Sequence, residues 1–112
     1  MTYVIDIDET ITLEEVHYKH YDLARPNLEM IKKVNDLYDK GNIIIFYTSR
    51  YMEDKDVTQT WLIANNVEHH EIQFEKPKGD FYIDKKNMSM EEFLCQSNET
   101  GGTIKERTLG KL

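Results

Sequence analysis

The sequence predicts a single α/β domain, a three-layer fold with about four parallel strands and helices on both faces of the sheet. Short apolar, β-branched segments alternate along the chain with segments of helical periodicity. Such alternation indicates parallel βαβ units with right-handed crossovers. A chain of 112 residues has room for one hydrophobic core. We assign residues 1–95 to the domain and residues 96–112 to a polar tail, either poorly ordered or docking to a partner.

The first half of the chain predicts a strand, a loop and a helix. The strand covers residues 3–7, an apolar run interrupted only by Asp6. Residues 10–24 have no clear period and are predicted to form a loop or a short helical turn above the strand ends. A helix of about fifteen residues then begins at Pro26, which fits a first helical position, and ends at Gly41 as a C-terminal cap. Helical spacing relates its apolar residues Leu28, Ile31, Val34 and Leu37 or Tyr38.

The second half predicts three strands and two helices. Residues 42–47 are a continuous β-branched strand. A helix over residues 53–66 turns Val57, Trp61 and Leu62 inward and is closed by Asn65-Asn66. A weaker strand is predicted over residues 70–74 and a short fourth strand over residues 80–84. Ser89 and Glu92 form a capping box for a last helix, residues 90–95.

Composition excludes several classes of partner. The formal net charge is −7, which argues against a nucleic-acid or anionic-membrane surface, because both need a basic footprint. The single cysteine, Cys95, excludes an internal disulfide and fits a reducing compartment. No apolar run reaches membrane-spanning length, and Asp6 and Asp8 interrupt the one N-terminal apolar stretch, so no signal peptide is expected. We therefore expect a cytoplasmic protein.

Polar side chains follow the predicted strands at the points where the strands end. They are Asp6, Asp8, Thr48, Ser49 and Asp84, with Lys76 in the loop before the fourth strand. In parallel sheets the carboxyl ends of the strands form the ligand site. Asp6 and Asp8 would share a face if the strand ran through both, and such a pair needs a cation or a shared proton nearby. An acidic strand end with a turn at Asp8 is the simpler alternative.

These groups have complementary roles in phosphate-ester hydrolysis. Asp6 can attack phosphorus and form an aspartyl-phosphate, and Asp8 can protonate the leaving oxygen and then deprotonate water. Mg²⁺ held by Asp6 and Asp84 would neutralise the charge that builds up. The phosphoryl oxygens would be held by the Thr48 hydroxyl, the backbone N–H at Ser49 and the Lys76 ammonium. A solvated loop lysine is the alternative for Lys76, and Lys78 competes with it for the role.

Four further residues are candidate substrate contacts: His17, His20, Tyr21 and Arg50. The two histidines are spaced for one helix face, but without a third ligand they are thin evidence for zinc. Arg50 fits a phosphate contact and a solvent-facing salt bridge almost equally well.

The ordered motifs resemble the haloacid dehalogenase superfamily of phosphohydrolases. Residues 6–10 match its DxDxT signature, and residues 45–50 resemble its second motif, an apolar strand ending in Thr or Ser. Lys76-Pro77 is similar to the third motif, and the segment ending at Asp84 to the fourth. The resemblance covers residues 3 to about 95. It implies a Rossmann-like fold, here without a cap domain, with Asp6 as nucleophile and Asp8 as general acid/base. It also implies a Mg²⁺ site formed by Asp6, Asp84 and the backbone carbonyl of Asp8.

Residues 24–26, 47–50 and 60–62 further resemble small capless phosphatases linked to capsule and lipopolysaccharide biosynthesis. That resemblance implies a small phosphorylated substrate such as a sugar phosphate, in an open site that a homo-oligomer could cover. A nucleotide or polynucleotide phosphatase is an alternative, and the acidic charge disfavours the polynucleotide. A catalytically idle, phosphatase-like binding module is another, suggested by Lys85 where relatives often carry a second acid and by Glu9 where they often carry Gly. A signalling receiver domain fits poorly, because no acid precedes Thr48 at the second strand.

Overall fold

The computed structural model describes residues 1–96, and the predicted tail after Gln96 lies outside the described residues. Three strands form one parallel sheet in the order β1 (Thr2–Ile5), β2 (Ile43–Tyr47) and β3 (Glu71–Gln73). The helices are α1 (Leu28–Asp39), α2 (Lys55–Ala64) and α3 (Met90–Cys95). Short 3-10 helices cover Tyr18–Leu23 and Met52–Asp54. The α/β class and the parallel sheet are therefore confirmed, with three strands in the described part of the chain.

The first strand ends two residues earlier than its apolar pattern predicts. The carbonyl oxygen of Ile7 accepts hydrogen bonds from the backbone N–H groups of Thr10, Ile11 and Thr12. These bonds turn the chain immediately after the strand, so Asp8 lies in the turn and Asp6 just before it, and neither lies on a continued strand. Glu9 takes a left-handed conformation in this turn, with φ 63°, and its N–H donates to Thr12 Oγ1 at 3.0 Å.

Both long helices end in the way that their sequences predict. Gly41 follows α1 with φ 92°, and its N–H donates to the carbonyl of Tyr38 while that of Asn42 donates to Leu37. This is a Schellman motif, in which glycine tolerates the left-handed backbone. At the end of α2, Asn66 takes the same position with φ 56°. The N-terminal prediction for α1 is wrong by two residues, because the cap is Asn27, whose side chain accepts from Met30 N; Pro26 instead forms a bridge with Thr12.

The core lies on one face of the sheet. Strand pairing aligns Ile5 with Phe46 and Phe46 with Ile72, so these side chains share a face, and Phe46 is fully buried there. Apolar residues of all three α-helices belong to the same hydrophobic cluster. The strand order β1-β2-β3 steps in one direction across the sheet, and two successive right-handed crossovers of this kind place the connecting helices α1 and α2 on the same side.

The opposite face carries the exposed side chains of Val4 and Ile43. The predicted second helical layer is not found among the helices of residues 1–96, which contribute to the core on the first face. No part of this range forms a separate cap domain. None of the helices in residues 1–96 is long and apolar enough to cross a membrane.

The predicted fourth strand does not form. Residues 81–84 have no regular secondary structure, and the side chains of Phe81 and Ile83 are 86% and 96% exposed. Polar groups of this segment bond locally: Tyr82 Oη donates to the Pro77 carbonyl at 3.0 Å, and the Asn87 side chain donates to the Tyr82 carbonyl. The short apolar run that predicted a strand is present in the sequence, but the segment forms these short-range bonds and turns and does not pair with the sheet.

Candidate functional site at the carboxyl ends of β1 and β2

A cleft of about 370 Å³ opens beside the carboxyl ends of β1 and β2. It is lined by Asp6, Asp8, Glu9, Glu15, Ser49, Lys78, Gly79, Asp80 and Tyr82. The cleft therefore joins the turn after β1, the end of β2 and the loop after β3. Five of the lining residues are acidic, so a cation or a cationic group is favoured in it.

Asp6 is partly buried at the base of the turn. Its Oδ1 accepts a hydrogen bond from the backbone N–H of Ile7 at 2.9 Å, which leaves Oδ2 for another partner. Burial raises the pKa of Asp6 above its ordinary value, while the positive charge of Lys76 and the Ile7 hydrogen bond oppose that rise. Asp8 adds a smaller increase by charge repulsion. A carboxylate that is costly to ionise and close to a lysine is a candidate functional group.

Asp8 forms a two-pronged ion pair with Arg50. Arg50 Nη2 donates to Asp8 Oδ1 at 2.8 Å and Nε donates to Oδ2 at 3.1 Å. The side chain of Arg50 is 1% exposed and that of Asp8 is 15% exposed. Arg50 is thus neither a solvent-facing salt bridge nor a free substrate contact, because its guanidinium is buried behind Asp8.

The predicted phosphate-binding residues divide into two sets. Ser49 lines the cleft. Thr48 is fully buried, and its hydroxyl accepts from the backbone N–H of Arg50 at 3.1 Å. The Thr48 side chain therefore shapes the β2 end and is not among the residues that line the cleft.

Lys76 lies beside the cleft and not in its lining. Its ammonium stands over the rings of Tyr82, 4.3 Å from the centroid, and Tyr47, at 5.5 Å. Its charge still reaches Asp6, whose pKa it lowers. Lys78 lines the cleft and pairs with Glu15 at 3.4 Å on the exposed surface. Lys76 therefore affects the site through its charge, and Lys78 lies in the cleft lining.

The two acidic residues of the GDxxxD-like segment lie in different surroundings. Asp80 lines the cleft with Asp6 and Asp8. Asp84 is exposed, is not among the lining residues, and its Oδ1 accepts from the backbone N–H of Lys86 at 3.0 Å. The expected approach of Asp84 to Asp6 depended on a fourth strand, which the structure lacks at this segment, so the strand tip that would carry Asp84 is absent there.

The candidate substrate contacts before α1 are not brought into the cleft lining. His17 caps the 3-10 helix by accepting from Lys19 N, and its ring lies 6.2 Å from that of His20. Tyr21 covers Arg50 with its ring centroid 3.7 Å from the guanidinium carbon. Burial, with a smaller effect of the Asp8 charge, raises the pKa of Tyr21.

Sequence reasoning missed the cleft residues Glu15 and Tyr82 and the residue that completes the Arg50 site, Thr58. Thr58 Oγ1 accepts from Arg50 Nη1 at 3.1 Å. Thr58 lies eight residues after Arg50, on α2, and no local spacing signals that contact. The signal in the sequence was a polar residue, Thr58, on the otherwise apolar inward face of α2, since a buried hydroxyl needs a hydrogen-bond partner.

The donor chemistry of the cleft fits Mg²⁺ in part. Mg²⁺ prefers oxygen ligands and usually takes one or two carboxylates, several waters and substrate oxygens. The carboxylates of Asp6 and Asp80 belong to one cleft, and the backbone of Asp8 adjoins it. Within residues 1–96, no three His, Cys, Asp or Glu side chains are close enough to hold a metal by themselves. The residues therefore suit an ion completed by water and substrate, not a closed protein cage.

Comparison with known proteins indicates the fold alone. No protein-family model and no curated protein matches the chain. A crystal structure of a structural-genomics target from Vibrio cholerae superposes with a TM-score of 0.74, covering 86% of this chain and 89% of that one at 23% identity. The agreement supports the α/β architecture over most of the chain.

Proposed function

We propose that the protein is a Mg²⁺-dependent phosphomonoesterase that acts through an aspartyl-phosphate on Asp6. The observation that carries the proposal is the placement of Asp6 and Asp8 in one cleft at the carboxyl end of β1, beside Ser49 at the end of β2. This is where open parallel sheets bind ligands. The motif order of the sequence, which resembles the haloacid dehalogenase superfamily, supports the same reading.

The chemistry follows from the two carboxylates. Oδ2 of Asp6, free of the Ile7 hydrogen bond, attacks phosphorus, and the bond from phosphorus to the leaving oxygen breaks. Asp8 gives that oxygen a proton, then takes one from the water that hydrolyses the aspartyl-phosphate. Ser49 holds a phosphoryl oxygen, and Lys76 lowers the negative charge around Asp6.

The Asp6 carboxylate and the backbone carbonyl of Asp8 would hold Mg²⁺, with a second carboxylate as the third protein ligand, from Asp84, which the resemblance implies, or from Asp80, which lines the cleft. The ion would neutralise charge shared by the nucleophile and the phosphoryl group. We further propose a cytoplasmic role on a small phosphorylated metabolite, such as a sugar phosphate of polysaccharide biosynthesis. The acidic cleft disfavours a polynucleotide. In the absence of a cap in residues 1–96, a second copy of the chain is the proposed cover for the cleft.

A second candidate is a phosphatase-like binding module without turnover. Two observations favour it: Asp84 is outside the cleft lining, and the Lys76 ammonium is engaged with two aromatic rings. Such a module would bind phosphate esters and leave them intact.

Phosphate release from p-nitrophenyl phosphate and a panel of sugar phosphates, with Mg²⁺ or with EDTA, separates the two. We expect Mg²⁺-dependent release that Asp6→Asn abolishes. The fold of the variant is checked by circular dichroism. Release that is equal in the Asp6→Asn variant would refute the mechanism. No release by the wild type, together with ligand-induced thermal stabilisation, would favour the binding module.

A further inference from the structure

Each of the three guanidinium nitrogens of Arg50 donates a hydrogen bond inside the protein. Nε and Nη2 bind the two oxygens of Asp8, and Nη1 donates to Thr58 Oγ1. The ring of Tyr21 covers the guanidinium plane, 3.7 Å from its central carbon. With 1% of the side chain exposed, no part of Arg50 is left to reach a ligand in the cleft.

The partners of Arg50 lie on different elements. Thr58 belongs to α2, Tyr21 to the 3-10 helix before α1, and Asp8 to the turn after β1. The backbone of Arg50 is also anchored, since its N–H donates to Thr48 Oγ1 and its carbonyl accepts from Glu75 N at 2.8 Å. Arg50 therefore transmits the position of α2 and of the 3-10 helix to the Asp8 carboxylate.

The geometry leaves Asp8 both held and accessible. A carboxylate has about four acceptor positions, and the Arg50 fork occupies one on each oxygen. Asp8 lines the cleft and its side chain is 15% exposed, so the carboxylate stays accessible from the cleft. A bidentate arginine fixes the plane of a carboxylate as well as its distance.

We propose that Arg50 is a positioning residue, which holds Asp8 in the orientation needed for proton transfer and makes no contact with the substrate. The inference rests on the proposed phosphomonoesterase activity. It departs from the sequence interpretation, in which Arg50 was a candidate substrate contact. Thr58 and Tyr21 are the supports that hold the guanidinium behind Asp8.

A double-mutant cycle tests the coupling. Arg50→Lys keeps the charge but loses the two-pronged geometry, and we expect kcat to fall about 100-fold through misplacement of Asp8 while KM changes less than about twofold, as for a lost transition-state interaction. In an Asp8→Asn background, Arg50→Lys should lower kcat further by less than about threefold, because the group that it positions has gone. p-Nitrophenyl phosphate is the probe: its leaving group needs little protonation, so kcat reports on Asp8 as the base that deprotonates water in the hydrolysis of the aspartyl-phosphate, and the double variant stays measurable.

Arg25→Lys is the matched control. Arg25 also forms a two-pronged pair, with Glu14 at 2.9 and 2.6 Å, but outside the cleft and on the surface, so kcat should not change. If Arg50→Lys fails to fold, Thr58→Val enters the same cycle, since it removes one support and leaves the Asp8 fork. Equal fold-losses of kcat in the two backgrounds, or a loss confined to KM, would overturn the positioning role. Absence of activity in the wild type would instead refute the proposed function.

Discussion

The buried ion pair makes the stability of the fold depend unequally on its two members. Removal of Asp8 leaves the Arg50 guanidinium, 1% exposed, with only a hydroxyl and an aromatic ring as partners. Removal of Arg50 leaves Asp8, which is 15% exposed and reaches water through the cleft. Desolvation of an unpaired charge is the dominant cost. We therefore expect Asp8→Ala to destabilise the protein more than Arg50→Met does.

The magnitudes follow from burial. Asp8→Ala should lower the free energy of unfolding by about 3–5 kcal/mol, the typical cost of breaking a buried pair. Arg50→Met retains the packing against Tyr21 and should cost about 1–3 kcal/mol, as for lost hydrogen bonds to a charged group. The surface pair of Arg25 and Glu14, 67% and 43% exposed, provides the control, and Arg25→Met should cost about 0–1 kcal/mol.

Urea unfolding is the assay, followed by the fluorescence of Trp61, the single and buried tryptophan. The m-value must stay constant across the variants for the comparison to report stability. An Arg50→Met cost equal to that of Asp8→Ala, or an Asp8→Ala cost no greater than that of the Arg25→Met control, would show that an unpaired buried guanidinium is not the dominant cost.

Three further predictions concern the cleft and the core. Burial raises the pKa of Asp6 in the folded state, so its contribution to stability is present below its ordinary pKa and is lost as pH rises through the raised value. In EDTA, the thermal midpoint of Asp6→Asn should therefore rise relative to that of the wild type as pH increases from the ordinary to the raised pKa. A difference between the two midpoints that stays constant with pH would contradict this prediction. Of Asp80→Asn and Asp84→Asn, only one should raise the Mg²⁺ concentration needed for half-maximal activity. That variant is Asp80→Asn if the observed cleft is the working site, and Asp84→Asn if the exposed loop rearranges. A change in both variants, or in neither, would refute the proposal that one of these two carboxylates is the third Mg²⁺ ligand. Trp61 Nε1 donates to the Ala24 carbonyl at 2.8 Å, so Trp61→Phe leaves that carbonyl unpaired and should cost about 1–3 kcal/mol in urea unfolding followed by circular dichroism, and a cost under about 0.5 kcal/mol would show that water replaces the bond.

Much of the fold could be predicted because its signals are local. The second strand, the two long helices and the Gly41 and Asn66 caps depend on periodicity and on residues that tolerate a left-handed backbone. The capping box of Ser89 and Glu92 forms as its spacing predicts. Each of these features depends on residues that are close together in the sequence, so the amino-acid sequence by itself contains the information.

The fourth strand shows where local pattern is insufficient. Residues 80–84 contain an apolar run typical of a short strand, yet they bond within their own loop. A strand needs a neighbouring strand to pair with as well as a suitable residue pattern, and whether a segment pairs with the sheet edge depends on the tertiary structure. Because this segment does not pair with the sheet, Asp84 lies outside the cleft lining, apart from the other predicted Mg²⁺ ligands Asp6 and Asp8.

The sequence by itself determined the α/β class, the parallel order of the main strands and the arrival of Asp6, Asp8 and Ser49 at one edge of the sheet. Strand order and crossover handedness suffice for that. Only the tertiary structure decided that Arg50 faces inward, because its partners Asp8 and Tyr21 are distant along the chain and Thr58 lies on a separate element. A guanidinium is buried only where tertiary packing brings an anion to it, and the periodicity of the sequence does not indicate where that occurs.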